Sequence, residues 1–132
     1  MISLTSLLGA LVTIMQAHPI CESVRVVETK EFSPEQFFLK VRAVLFEENA
    51  QLQVRVYYNR GHVDYAYQLF TDVPILRWDN KEEFHHLTTY PHHYHDAQGH
   101  VHSSPLIGEP LQDIEVVLQA VNAFMTSSGA LA

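Results

Sequence analysis

The chain is poor in cysteine and in basic residues. Cys21 is the single cysteine among 132 residues, so no disulfide can form within the chain. Nothing in the sequence indicates an oxidising compartment, and we expect the cytoplasm. Eight Lys and Arg residues against fifteen Asp and Glu residues give a formal net charge of -7. This balance argues against a protein that coats nucleic acid through a broad basic surface, but it leaves local binding open.

Long apolar runs are also scarce, and the one in residues 1–17 is short for a membrane span. It has no Lys or Arg with which a signal peptide would begin. Leu4, Leu7, Leu11 and Met15 recur at spacings of three and four, which is typical of one face of a helix. The sequence therefore predicts a helix packed on the core rather than a cleaved segment or an anchor.

Alternating apolar and polar residues predict a β-rich tract after this helix. The length is that of one domain, and we expect residues 1–132 to form it. The sequence contains no P-loop, dinucleotide fingerprint, CxxC pair or internal repeat. Short polar turns separate the predicted strands, so neighbouring strands should pair antiparallel. The five strands are predicted near residues 22–31, 36–46, 51–58, 63–69 and 75–78.

A second helix is predicted to begin at Pro110, which suits the first turn of a helix. Leu111, Ile114 and Leu118 follow at helical spacing, and residues 126–132 are predicted to be a frayed tail. We therefore predict an α+β fold, with an antiparallel sheet of about five to seven strands and the two terminal helices packed on one face.

The histidines are concentrated in one stretch, since seven of the nine lie in residues 84–102. Histidine can give and take a proton near neutral pH, and neutral imidazole is a common metal ligand. A four-residue loop at 96–99 would pair His95 with His100 and His93 with His102 in a hairpin. We therefore expect these four imidazoles to share one face of the hairpin.

Three short segments resemble the signature of a known family. They are Arg77-Trp78-Asp79-Asn80, then His85-His86, then Pro91-His92-His93-Tyr94-His95. This order of RWDN, HH and PHHxH is similar to the TumE-like toxin family of prokaryotic toxin–antitoxin modules. The resemblance implies a small α+β toxin whose partner is a cognate helix-turn-helix antitoxin. RNA or ribosome-bound RNA is a possible target, and we expect no membrane partner.

The leading hypothesis is a small endoribonuclease that needs no cofactor. One of His92, His93 and His95 would take a proton from the ribose 2′-OH, and another would protonate the leaving 5′-oxygen. Arg77 would hold the phosphate and stabilise its developing charge. The candidate catalytic residues are His92, His93, His95, Arg77, Asp79, His85, His86 and Tyr67.

A second hypothesis is a metal-dependent phosphodiester or nucleotide hydrolase. His93 and His95 would point the same way along a strand, and Asp79, His85 or His86 could supply a third ligand to zinc or manganese. A third hypothesis, from a different class, is a non-enzymatic module that acts by binding another protein.

Some of these residues also have purely structural explanations. Arg77 and Asp79 could form a salt bridge that fixes a loop. Tyr67 could serve sheet packing alone, and we expect Trp78 to be buried in the core. The histidines themselves could form a polar surface hairpin.

Overall fold

The computed structural model describes residues 2–47 and 49–128. The elements are α1 (Leu4–Ala17), β1 (Cys21–Ser33), β2 (Gln36–Leu45), β3 (Gln51–Asn59), β4 (His62–Phe70), β5 (Pro74–Asp79), β6 (His93–His95), β7 (Val101–Ser103) and α2 (Pro110–Ser128). The seven strands form one sheet in the order of the sequence, and every neighbouring pair is antiparallel. The predicted α+β fold is confirmed.

Turn chemistry explains why β3 and β4 pair so tightly. Two residues separate these strands, and both lie at positive φ, 52° for Arg60 and 91° for Gly61. A two-residue hairpin loop of this kind matches the right-handed twist of the flanking strands. The following register runs without interruption from Asn59 opposite His62 to Gln51 opposite Phe70.

Helix α1 begins at a capping box, in which the side chains of Ser3 and Ser6 each bind the backbone of the other residue. Leu7, Leu11 and Met15 are buried, as the three- and four-residue spacing predicted. Burial of this stripe holds the helix on the sheet. None of the helices in the described residues is long and apolar enough to cross a membrane.

Helix α2 is anchored at its start by a buried carboxylate. Asp113, 2% exposed, accepts hydrogen bonds from the backbone N–H groups of Ile107 at 3.0 Å and Gly108 at 2.8 Å. Negative charge is also favourable near the N-terminus of a helix. The helix continues to Ser128, into the segment predicted to be a frayed tail, and residues 129–132 of that prediction lie outside the described residues.

The two faces of the sheet differ in what covers them. Along β2, every second residue from Phe37 to Leu45 is buried. These side chains form one core with the apolar stripes of both helices, and we call this side the covered face. The other side, the open face, carries the residues between them; one row across it is Lys40, Arg55, Ala66, Asp79 and His93.

Candidate functional site

The end of β5 and the short strand β6 bring together two segments of the histidine-rich signature. The register places Asp79 opposite His93 and Arg77 opposite His95. Directly paired residues share a face of a sheet, as do residues two apart on one strand. Arg77, Asp79, His93 and His95 therefore converge on the open face, and we call these four residues the cluster.

The carboxylate of Asp79 is the centre of the cluster. It is 6% exposed, and its Oδ2 accepts a hydrogen bond from Arg77 Nε at 2.7 Å. Its Oδ1 accepts one from the backbone N–H of Lys81 at 3.0 Å. Arg77 is itself held by Gln68, whose Oε1 accepts from Nη1 at 2.7 Å. The salt bridge considered for Arg77 and Asp79 is thus present, within a larger set of contacts.

His93 is fixed from two sides. Its Nδ1 lies 3.1 Å from the carbonyl oxygen of Pro91, which can only accept, so Nδ1 carries a proton. Its Nε2 lies 2.9 Å from Asp79 Oδ1, yet the direction of approach is not that of a hydrogen bond. The ring of Phe84 packs edge-on against that of His93, with the ring centres 4.6 Å apart. His93 is 1% exposed.

His95 is the imidazole of the cluster that solvent reaches, because its side chain is 31% exposed. Its Nε2 lies 3.9 Å from Asp79 Oδ2, and its ring centre lies 5.0 Å from that of His93. Partial burial lowers the pKa of His95, and the neighbouring His93 lowers it further, while the Asp79 carboxylate opposes both. Neutral imidazole is thereby favoured at this position.

A cavity of about 390 Å³ opens beside the cluster on the open face. Its wall combines cationic and aromatic groups with two carboxylates, and the lining residues are Phe38, Arg55, Tyr57, Asp64, Tyr65, Arg77, Asp79, Asn80 and Lys81. The size is that of a small-ligand pocket. Arg77 and Asp79 belong to both the cluster and the cavity wall, so a molecule in the cavity would contact the cluster directly.

His92 is not part of this convergence. Side chains alternate along the chain, and His92 points to the opposite side of the sheet from His93. Its Nδ1 lies 2.7 Å from the Tyr65 hydroxyl, and its ring stacks on that of Tyr65 at 5.8 Å. Burial lowers the pKa of His92. The Asp113 carboxylate raises this pKa, and the neighbouring His93 lowers it further. His92 therefore lies outside the cluster to which His93 and His95 belong.

His85 and His86 lie on the exposed loop between β5 and β6. His85 stacks on Tyr90 with ring centres 4.4 Å apart. The ring centres of His86 and Phe84 lie 6.4 Å apart, and the ring of Phe84 packs against that of His93. His86 therefore borders the cluster through an aromatic ring, whereas His85 contacts a different neighbour.

Tyr67 lies on the covered face and does not reach the cluster. Its strand partners are Val54 and Trp78, and the whole residue is 0% exposed. The cause is the strand period, since Ala66 rather than Tyr67 is opposite Asp79. Its hydroxyl has no hydrogen-bond partner among the described residues. Trp78 is buried beside it, as predicted.

The predicted register of the histidine hairpin is wrong by one residue. His95 pairs with Val101, and Tyr94 pairs with His102, because the loop contains five residues rather than four. The carboxylate of Asp96 accepts from the backbone N–H of His100 at 2.9 Å and draws that residue into the loop. A shift of one residue moves side chains to the other face. His102 therefore lies beside Tyr94, away from His93 and His95.

Sequence reasoning missed three contributors to the site. Gln68 orients Arg77, Phe84 covers His93, and Arg55 lines the cavity. For Arg55 a signal existed, because strand alternation already placed it on the polar side of β3. The contact of Gln68 with Arg77 depends on the register of β4 and β5, and the contact of Phe84 with His93 depends on the path of a loop. No local pattern in the sequence encodes either of them.

The fold and the cluster define a small α+β protein with a His, Asp and Arg site on one open sheet face. The family model described as Toxin TumE matches residues 11–125, and the chain belongs to this toxin family. Toxins of this class act together with an antitoxin, so the family implies such a partner. No curated protein and no solved structure matches the chain.

Proposed function

We propose that this toxin cleaves RNA and that the cluster is its catalytic centre. The observation that carries the proposal is the distribution of charge around the cluster. Six of the eight Lys and Arg residues occupy paired positions on the open face: Arg25, Lys30, Lys40, Arg42, Arg55 and Arg77. The acidic residues at paired positions there are three: Glu28, Asp64 and Asp79.

This distribution answers the objection raised by the net charge of -7. The paired positions of the open face thus hold six basic and three acidic residues, whereas the whole chain holds eight basic and fifteen acidic residues. A polyanion approaching the protein is attracted by one face and repelled by the others. The open face is therefore the surface that suits a phosphate backbone.

Aromatic side chains on the same face favour a single strand over a duplex. Phe38 and Tyr57 are paired across β2 and β3 and line the cavity beside Arg55. Unstacked bases bind aromatic rings, at about 1–3 kcal/mol per base, and basic residues follow the backbone. RNA also supplies the 2′-OH that the cleavage step requires.

The cluster contains two of the groups that cleavage by transesterification needs, a proton acceptor and a cation beside the phosphate. The ribose 2′-oxygen attacks phosphorus, its proton passes to a base, and the bond from phosphorus to the 5′-oxygen breaks as that oxygen receives a proton from water. The base is a neutral imidazole, and His95 is the exposed imidazole of the cluster. Arg77, on the cavity wall, stabilises the charge that develops on the phosphate.

The antitoxin in this proposal is a helix-turn-helix protein of the same cytoplasm. An acidic extended or helical segment of that partner would lie across the open face and exclude RNA. Occlusion of the cluster accounts for neutralisation without any change in the toxin fold. Co-expressed toxin and antitoxin should therefore elute as one complex in size-exclusion chromatography.

The test is incubation of purified toxin with total RNA, in the presence and in the absence of a chelator. His95→Ala should lose cleavage, whereas Arg60→Asn should keep it. The second variant removes a positive charge from the β3–β4 turn, and Asn tolerates the positive φ found there. Cleavage that survives chelation supports the metal-free mechanism, and cleavage lost on chelation supports the metal-dependent one. Intact RNA under both conditions would exclude cleavage and leave the protein-interaction hypothesis.

A further inference from the structure

We infer that Asp79, His93 and His95 bind one divalent transition-metal ion. Their candidate ligand atoms all lie within 4.8 Å of one another. Two of the closest approaches are 2.9 Å from Asp79 Oδ1 to His93 Nε2 and 3.9 Å from Asp79 Oδ2 to His95 Nε2. Ligand atoms that share one tetrahedral zinc ion stand about 3.3 Å apart, given zinc–nitrogen bonds of about 2.0–2.1 Å. The two separations involve different oxygens of Asp79 and lie on both sides of that value, and the span of 4.8 Å requires the side chains to move closer around a bound ion.

The tautomer of His93 indicates that a cation binds between its Nε2 and the carboxylate of Asp79. The carbonyl of Pro91 fixes the proton of the neutral ring on Nδ1, so Nε2 presents a lone pair. That lone pair lies 2.9 Å from a carboxylate oxygen, which also presents lone pairs. Two acceptors at this distance repel each other unless they share a cation.

A second proton on His93 does not resolve this arrangement. The ring plane fixes the direction of an N–H group, and the contact between Nε2 and Asp79 Oδ1 does not have the direction of a hydrogen bond. Nε2 therefore has no hydrogen-bond partner among the residues that the structure describes, although His93 is 1% exposed. A buried nitrogen without a hydrogen bond is unfavourable, and coordination of a metal ion would remove that penalty.

The surroundings of the three ligands have the features of a built metal site. A histidine ligand usually donates its other N–H to a carbonyl or carboxylate, as His93 does to Pro91. The backbone N–H of Lys81 and the side chain of Arg77 hold the carboxylate of Asp79 in place. Phe84 packs against the His93 ring at 4.6 Å and thereby limits its rotation.

The ligand set also indicates the kind of metal and the kind of site. Two imidazoles and one carboxylate suit zinc, manganese or iron rather than calcium or magnesium. Three protein ligands leave at least one position free, which is typical of catalytic rather than structural sites. His95 is 31% exposed, so that free position is accessible from solvent. A metal-free mechanism with two imidazoles, in contrast, needs both of them to be reachable, and His93 is not reachable.

The experiment measures metal binding without RNA. Chelator-treated protein is titrated with Zn²⁺ and, separately, with Mn²⁺ by calorimetry, and bound metal is counted by mass spectrometry. We expect one equivalent in the wild type. His95→Ala should bind at least about 10-fold more weakly, and because this side chain is half-exposed, the variant should fold normally. Asp79→Asn should lose binding to a similar degree, with its fold checked by circular dichroism.

The matched control is His102→Ala, in the same hairpin. His102 Nε2 lies 2.7 Å from Asp96 Oδ2, so this pair is a second histidine–carboxylate contact, exposed and on the other side of β6. The control should bind metal as the wild type does. Absence of binding in the wild type, or equal binding by the wild type and His95→Ala, would overturn the inference.

Metal binding and RNA cleavage fail separately in these experiments. One equivalent of metal with intact RNA would sustain the metal site and remove the proposed ribonuclease. Cleavage of RNA by a protein that binds no metal would sustain the proposed ribonuclease and remove the metal site.

Discussion

The two faces of the sheet are built from the same strands and perform different tasks. Every second residue of β2 points into a core closed by two helices, and the residues between them carry charge to the open face. Leu39 and Lys40 are adjacent in sequence, yet one is buried in the core and the other faces Arg55 across the sheet. The strand period thus separates the side chains that form the core from those that form the open face.

This separation teaches how an acidic protein can present a cationic surface. The composition averages over both faces and both helices, and it gives a net charge of -7. The register, in contrast, sorts side chains, and it aligns Arg25, Arg42 and Arg77 in one row of the open face. Local density of charge, rather than the sum over the chain, determines what a surface attracts.

The largest effect should follow from damage to the covered face. Leu11→Ala and Leu118→Ala each remove a side chain that is at most 1% exposed, and each should lower the free energy of unfolding by about 2–5 kcal/mol through lost burial and a cavity. Urea unfolding measures the change. Gln16→Ala, on the exposed side of α1, should change it by less than about 0.5 kcal/mol. Equal effects in all three variants would contradict the packing described for the helices.

An intermediate effect should follow from a charge change on the open face. Arg55→Glu reverses a cation of the cavity wall, and it should weaken binding of single-stranded RNA by about 10-fold or more at low salt, because a phosphate contact becomes a repulsion. Fluorescence anisotropy at two salt concentrations measures both the affinity and its salt dependence. Arg60→Asn is the control away from the face. If both variants bound RNA equally well, the open face would not be the RNA surface.

The sequence predicts those features of the fold and of the cluster that arise from residues near one another in the chain. The alternation in β2 and β3 and the helical stripes are local patterns, and the structure confirms them. The short turn between β3 and β4 also has a local cause, because Arg60 and Gly61 both lie at positive φ. The pairing of Arg77 with Asp79 on one face also follows from their spacing. These features need no knowledge of which strand lies beside which.

The features that escaped prediction depend on register or on loop geometry. The hydrogen bond from His100 to the Asp96 carboxylate lengthens the hairpin loop by one residue and reverses the side of His102. Tyr67 differs from Ala66 by one position, and only the pairing of β4 with β5 shows which of them faces Asp79. Phe84 covers His93 through a loop whose path has no periodic signature.

A smaller effect, of opposite sign, should follow from Tyr67→Phe on the covered face. The Tyr67 hydroxyl is buried and has no hydrogen-bond partner in the described part of the chain, and burial raises its pKa well above the ordinary value. Removing an unpaired hydroxyl while keeping the ring should stabilise the fold by up to about 1 kcal/mol. Thermal and urea unfolding measure the gain. The same variant should keep RNA cleavage, since Tyr67 does not reach the cluster, and a loss of cleavage would contradict its placement.

The smallest effect should come from Asp96, whose loop sets which histidines join the cluster. His102 and the backbone N–H groups of His100 and Gln98 bind its carboxylate, and its pKa is lowered from 3.8 to about 2, with the His102 contact as the largest cause. A carboxyl group whose pKa is lower in the folded state stabilises the fold above its unfolded pKa and loses that effect as the pH falls towards about 2. Asp96→Asn should therefore lower the melting temperature slightly at pH 7, and the difference from the wild type should shrink below about pH 4. Asp72→Asn, an exposed acid in the β4–β5 turn, is the control and should show no such pH-dependent difference. A difference that stays constant from pH 7 to pH 3 would mean that the ionised carboxylate does not hold the loop.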